Sequence, residues 1–226
     1  MLLWPFFLAL SLVPAQSAAQ IDAHLRLKQS GQTHLPFPPA VVWLKPLSDT
    51  SSPSNPRGLF TLTQKNRMFT PHLLVVPVGS AVQFPNADPF FHNVFSLFDG
   101  KRFDLGLYEA GSTKEVTFSR EGVSYIFCNI HPEMSAVVLS ISTPLYAIAD
   151  AKGMFHIRDV SPGDYELHLW VEGTPDPELE RFTRRIHLTS NAGDLGELTI
   201  PTATHGLASH LNKFGRPYDR DAKPIY

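Results

Sequence analysis

Short apolar segments separated by turn residues occur along most of this chain, and no segment has the apolar spacing of a helix. Residues 73–76 and 81–84, for example, are two such runs joined by the turn at Gly79 and Ser80. Runs of this length between turn signals are typical of β-strands. Many of them in one chain indicate an antiparallel sandwich or barrel. The sequence therefore predicts an all-β fold.

The strand pattern restarts after residue 142. In the segment 164–171, alternate apolar side chains share one face of a predicted strand; they are Tyr165, Leu167, Leu169 and Val171. Residues 201–226 lack such a pattern and are expected to form an exposed tail. We therefore predict a first domain at 21–142, which includes an N-terminal extension, and a smaller β domain at 143–200.

The first 20 residues have the features of an export signal. An apolar run from Leu2 to Val13 is followed by small residues at 15–19 that suit cleavage. No Lys or Arg precedes the run, so an uncleaved anchor is the alternative; the run is shorter than the roughly 18 apolar residues of a spanning helix. We expect a periplasmic or secreted protein without stable membrane insertion after cleavage.

The only cysteine of the chain, Cys128, lies in a segment with two further potential metal ligands, His131 and Met134. His92 is a fourth candidate upstream. Two imidazoles, a thiolate and a weak axial thioether are the ligands of a blue-copper electron-transfer site. Pro132 keeps the segment short, which limits how far the ligands can relax. The sequence therefore predicts one type 1 copper ion.

Each of these residues also has an ordinary explanation. A lone cysteine is often a buried apolar residue, Met134 could belong to a core, and His92 could be a hydrogen-bonded, half-buried histidine. Other metals fit less well, because structural zinc takes four Cys or His ligands. Haem c attachment takes Cys-x-x-Cys-His, which a single cysteine cannot supply.

Residues 60–141 resemble the cupredoxin family, a Greek-key β-sandwich, and within it the plastocyanin and amicyanin branch. The resemblance lies in Cys128-x-x-His131-Pro132-x-Met134 and in His92-Asn93-Val94. It implies that these four residues bind copper and that Asn93 joins the two ligand segments and directs its N–H at the Cys128 sulfur. It also implies that electrons leave through an exposed edge of His131.

Residues 144–200 are similar to the carboxypeptidase regulatory-like β-sandwich, through the turns at 150–153 and 161–163. The whole arrangement resembles the plastocyanin-like proteins that are associated with methylamine utilisation in bacteria. Because all four expected ligands precede residue 142, we expect a chain cut after Ser142 to fold and bind copper by itself.

The leading functional hypothesis is a periplasmic one-electron carrier between redox partner proteins, and not an enzyme. Multicopper oxidases and nitrite reductases use His-x-His pairs and a histidine beside the copper cysteine. None of the ten histidines forms such a pair, and Cys128 lies between Phe127 and Asn129. A copper-trafficking or partner-binding module is the alternative. The net charge of −2 argues against nucleic acid as a partner.

Overall fold

The computed structural model describes residues 21–31, 36–48, 54–97, 100–190, 193–201 and 210–218. The expected signal at residues 1–20 lies outside them. The prediction of an all-β fold is confirmed, because the regular elements within these ranges are strands apart from one five-residue helix, α1 (Asp176–Glu180). In these described segments, no helix has both the length and the apolar character that a membrane crossing requires.

The strands in chain order are β1 (Ile21–Gln29), β2 (Ala40–Pro46), β3 (Leu59–Thr61), β4 (Thr63–Lys65), β5 (Met68–Thr70), β6 (Leu73–Pro77), β7 (Ser80–Pro85), β8 (His92–Ser96), β9 (Phe103–Tyr108), β10 (Thr113–Phe118), β11 (Gly122–Phe127), β12 (Ser135–Ile141), β13 (Tyr146–Ile148), β14 (Met154–Val160), β15 (Gly163–Val171), β16 (Arg184–Leu188) and β17 (Asp194–Ile200).

Strands β3 to β12 form the first β unit. Its two sheets have the orders β10-β7-β3 and β6-β12-β11-β8-β9, and the hairpin β4-β5 stands beside them. Along β7, the side chains of Ser80, Val82 and Phe84 are buried while their neighbours are half-buried, as expected for a strand with one face on a core. Val82 and Phe84 pack in one cluster with Ile126 and Val138 of the larger sheet, so the core lies between the two sheets.

Strands β1, β2 and β13 to β17 form the second β unit. Its sheets have the orders β14-β1-β17 and β13-β2-β15-β16. The shared face predicted for 164–171 is confirmed, because Tyr165, Leu167, Leu169 and Val171 are all buried in its core, and Trp170 on the opposite face is buried as well.

The position of β1 and β2 differs from our expectation. We assigned residues 21–58 to the first domain, but β1 pairs with β14 and β17, and β2 pairs with β13 and β15. The reason is that a strand's own sequence specifies which face is apolar and does not specify which strand it pairs with. The first β unit is thus inserted between β2 and β13. Leu44 N–H donates to the Leu145 carbonyl oxygen at 2.9 Å, so the chain leaves and returns at neighbouring points.

Strand β12 belongs to the cores of both units. Ala136 and Val138 face the core of the first β unit, whereas Val137, Leu139 and Ile141 pack in the core cluster of the second β unit. A strand covered on both faces has a nearly continuous apolar sequence rather than an alternating one. Strand β12 is therefore a wall shared by the two cores, and the ligand segment 128–134 ends where β12 begins.

Candidate metal centre

Neighbouring strands of the larger sheet bring His92 and Cys128 together. His92 is the first residue of β8, and Cys128 directly follows β11, which pairs with β8 through Phe127 and Phe95. All five residues of β8 are buried, so the backbone that carries His92 is fixed by the core on one side and by β9 on the other.

The segment 128–134, which we call the ligand loop, joins β11 to β12 and is closed by its own backbone. Met134 N–H donates to the His131 carbonyl oxygen at 3.0 Å, and Cys128 N–H donates to the Met134 carbonyl oxygen at 3.3 Å. These bonds turn the chain tightly, so that Cys128 and His131 point to the same side.

Three potential donor atoms face one another inside the protein. The Cys128 sulfur lies 3.8 Å from Nδ1 of His92 and 3.6 Å from Nδ1 of His131, and the two Nδ1 atoms are 3.1 Å apart. Within the described ranges, these residues form the single group of three or more His, Cys, Asp or Glu side chains that could hold a metal ion, and all three are buried.

The Cys128 sulfur lies in an apolar setting with three directed N–H groups. Burial raises the pKa of the thiol above its usual value, although the backbone N–H groups of Asn93, Ile130 and His131 act in the opposite direction. N–H donors favour the thiolate, as does a bound cation, because both compensate its negative charge. The sulfur is therefore poised to lose its proton when a metal ion arrives.

Both imidazoles are suited to metal binding because their surroundings favour the neutral form. Burial holds the pKa of His92 below its usual value although Asp88 opposes that shift, and burial together with the nearby His92 ring lowers the pKa of His131. A neutral imidazole has a free lone pair on one nitrogen. In His92 the other nitrogen, Nε2, lies 2.8 Å from Asp88 Oδ2, which leaves Nδ1 free to bind metal.

Asp88 is a site residue that our sequence analysis missed. Its carboxylate also accepts the N–H of Asn66 at 2.6 Å and the N–H of Arg67 at 3.0 Å, in the turn between β4 and β5. A carboxylate that orients a ligating histidine is a recurrent feature of metal sites. The only sequence signal for Asp88 is its position four residues before His92, which is weak.

Met134 is fully buried in the same core cluster as Cys128. The donor group of one sulfur and two imidazoles fits copper, for which a trigonal His₂Cys arrangement with a weak axial ligand is characteristic. Whether Met134 supplies that axial ligand remains a prediction.

His131 differs from the expectation of an exposed edge. It is only 4% exposed, and its Nε2 atom is buried without a hydrogen-bond partner among the described residues. The half-buried ring of Phe90 stands 5.6 Å from the His131 ring and 5.2 Å from the His92 ring, measured between centroids. An apolar cover thus lies over both histidines.

Asn93 and Pro132 also have contacts that the sequence did not reveal. The Asn93 side chain donates to Asp104 Oδ1 at 2.7 Å in β9, rather than to the ligand loop. Pro132 is exposed, and its carbonyl oxygen lies 3.0 Å from Nε2 of His210 in the C-terminal segment, which we expected to be an exposed tail. His205, in the same predicted tail, lies outside the described residues.

No family model matches the chain, and no curated protein matches it. Solved structures match parts of it. A purple cupredoxin from Nitrosopumilus maritimus is 26% identical over 36% of this chain and 99% of its own, with a TM-score of 0.33. A copper-containing nitrite reductase from Thermus scotoductus is 23% identical over 43% of this chain and 25% of its own, with a TM-score of 0.36. A reduced, Cu(I) form of an amicyanin variant is 17% identical over 44% of this chain and 98% of its own, with a TM-score of 0.35.

Proposed function

We propose that this protein binds one copper ion through His92, Cys128 and His131, with Met134 as a weak axial ligand, and carries single electrons between other proteins. The observation that carries the proposal is the convergence of one sulfur and two Nδ1 atoms, 3.1 to 3.8 Å apart, in a buried site. The residue types are those of an electron-transfer copper site.

When bound, a copper ion supplies a one-electron couple between Cu(I) and Cu(II). The contribution of the chain is to keep the donors in place in both states. The three N–H groups at the Cys128 sulfur, the two backbone bonds that close the ligand loop, and the Asp88–His92 contact all restrict movement of the donor atoms. A site that moves little between oxidation states loses little energy to rearrangement, which favours fast transfer.

Burial of the site supports a carrier rather than an enzyme. Catalytic metal sites keep a position open for water or substrate. Here Cys128 and His92 have no exposed surface and His131 has very little. Together with the absence of His-x-His from the sequence, this supports electron transfer without substrate chemistry.

We also propose export to the periplasm or to the outside of the cell, with redox proteins as partners. The support is the apolar segment at residues 2–13 followed by small residues. A lone cysteine is compatible with an oxidising compartment, because it has no intramolecular disulfide to form.

The test is the visible absorption of the copper-loaded, oxidised protein. Wild type should show an intense band from charge transfer between the Cys128 thiolate and copper, and Cys128→Ser should abolish it. Met68→Leu, at an exposed residue of β5, is a control that should leave the band unchanged. A band that survives in Cys128→Ser would refute the site. Reversible one-electron voltammetry with slow copper exchange would support the carrier over a trafficking role.

A further inference from the structure

A second segment of the chain forms hydrogen bonds to the outside of the ligand loop. Residues 210–218 lie beyond the second β unit in sequence, yet they contact the first β unit at the candidate site; we call them the clasp. The Tyr218 hydroxyl donates to the Cys128 carbonyl oxygen at 2.9 Å. His210 Nε2 lies 3.0 Å from the Pro132 carbonyl oxygen, and since a carbonyl can only accept, the imidazole donates. The clasp thus binds the first residue of the ligand loop and the residue that follows His131.

The side chains of His210 and Tyr218 pack against the sheet and against each other. The His210 ring stacks on Phe127, with ring centroids 3.8 Å apart and planes at 21°. The Tyr218 ring packs edge-on against the His210 ring, with centroids 5.1 Å apart and planes at 87°. Phe127 is the last residue of β11, so the stack is fixed to the sheet that presents Cys128. The bonds to the ligand loop therefore come from an anchored pair of side chains.

Lys213 connects the clasp to the other ligand segment. Its N–H donates to Asn129 Oδ1 at 3.0 Å, and its ammonium lies 2.7 Å from Asp104 Oδ2. The other oxygen of Asp104 accepts the Asn93 side chain, next to His92. Besides the Asn93 N–H at the Cys128 sulfur, a second link between the two ligand segments thus runs through Asp104 and Lys213.

We propose that the clasp is a working part of the metal centre, in which His210 and Tyr218 are positioning residues that hold the ligand loop closed and slow the loss of copper. This inference rests on the proposed function, because it takes the site to be a copper site. The carbonyl groups that the clasp binds belong to Cys128 itself and to the residue after His131. Loss of the clasp would therefore remove two side-chain contacts that supplement the backbone bonds of the loop and restrict its opening.

The test uses the full chain with Tyr218→Phe and with His210→Phe. The first change removes only the hydroxyl, and the second keeps an aromatic ring on Phe127 but removes the bond to Pro132. Tyr146→Phe is the matched control, because it removes the same hydroxyl from an exposed tyrosine in β13. Three quantities are measured: hydrogen exchange of the ligand-loop amides in copper-free protein, the rate of copper loss to excess chelator, and the reduction potential.

Both clasp variants should lose copper about tenfold faster than wild type, the size of effect expected when a supporting contact of a metal site is removed. Their ligand-loop amides should also exchange faster than those of wild type. Their reduction potentials should shift, whereas Tyr146→Phe should match wild type in all three measurements. If the clasp were only structural, the variants would unfold at lower temperature with the potential and the copper-loss rate unchanged, and the inference would be overturned.

Failure of the proposed function gives a different result. If wild type showed no Cys128-dependent copper binding, the copper proposal would fall, while exchange in the copper-free protein would still decide whether the clasp holds the loop. If exchange in both clasp variants equalled that of Tyr146→Phe, the clasp inference would fall even with copper binding intact.

Discussion

Asp88 holds two separate parts of the site with one carboxylate, the His92 ring and the turn between β4 and β5. We expect Asp88→Ala to lower copper affinity at least about tenfold, because the imidazole loses the group that orients it. The variant should also lose about 1–3 kcal/mol of unfolding free energy, since two backbone N–H groups lose their acceptor. Competition with a chelator and chemical denaturation measure the two effects.

Asp150→Ala is the matched control for this prediction. Asp150 likewise accepts two backbone N–H groups in a turn, those of Lys152 and Met154, but it lies in the second β unit. It should cost stability without changing copper affinity. Wild-type affinity in Asp88→Ala would show that the sheet alone orients His92.

Among the strands, β12 is the one whose side chains contribute to the stability of both β units. Leu139 is almost fully buried and faces the second β unit, although the strand itself belongs to the sheet that carries the ligands. We expect Leu139→Ala to lower the unfolding free energy by about 2–5 kcal/mol, the usual cost of a large-to-small change in a core. Leu107→Ala, in the exposed part of β9, should change it by less than about 0.5 kcal/mol.

The same experiment examines the coupling of the two units. Copper absorption monitors the first β unit, and fluorescence of the tryptophans Trp43 and Trp170 monitors the second β unit. Since β12 has a face in each core, both signals should change together in denaturant. Two separate transitions, with only the fluorescence transition moved by Leu139→Ala, would contradict the shared wall.

The elements also show how far the sequence alone can lead. The alternation in β15 and the turn at Gly79 are local, so the strands they define were predicted correctly. The donors in the ligand loop are also close in sequence, and the spacing of Cys128 and His131 pointed to them. The pairing of β1 with β14 and β17 and the hydrogen bond from Tyr218 to Cys128 join residues that are far apart in the chain. No local sequence pattern encodes such contacts.

For the whole molecule, the expected independence of residues up to 142 has to be revised. A chain cut after Ser142 would keep β1 and β2 but lose every strand with which they pair. It would also expose the face of β12 that carries Val137 and Leu139. The division that the pairing supports is between the inserted strands β3 to β12 and the remainder.

Two ion pairs join the units and predict a stability maximum between acid and alkaline pH. His72 Nε2 lies 2.9 Å from a carboxylate oxygen of Glu172, and this hydrogen bond is the main cause that raises the pKa of His72. The stability that this pair contributes is complete below the unfolded pKa of about 6.5 and is lost as pH rises through the folded pKa. Glu121 lies 2.7 Å from Lys45. Burial opposes its ionisation, but Lys45 and Ser142 hold the pKa of Glu121 below its usual value, so this stability is lost as pH falls through the folded pKa.

Glu172→Gln should therefore weaken the alkaline dependence and Lys45→Met the acid dependence, each relative to wild type, because Ser135 and Ser142 keep their own contacts to His72 and Glu121. Because these side chains are partly exposed, solvent screening limits each effect to less than about 1 kcal/mol. The measurement is the unfolding free energy of the three proteins as a function of pH. Parallel curves for all three would show that neither pair contributes.

The insertion of one unit into the other imposes an order on biosynthesis. β1, with its buried side chains Ala23, Leu25 and Leu27, leaves the ribosome early, but its partners β14 and β17 follow only after the entire inserted unit. The inserted strands have all their partners by the time residue 141 emerges, so they can fold first. Until residue 200 is made, the apolar face of β1 has no native cover and is open to aggregation or to chaperones. Any delay between these two points, during synthesis or during the proposed export, would thus prolong the exposure of this apolar face.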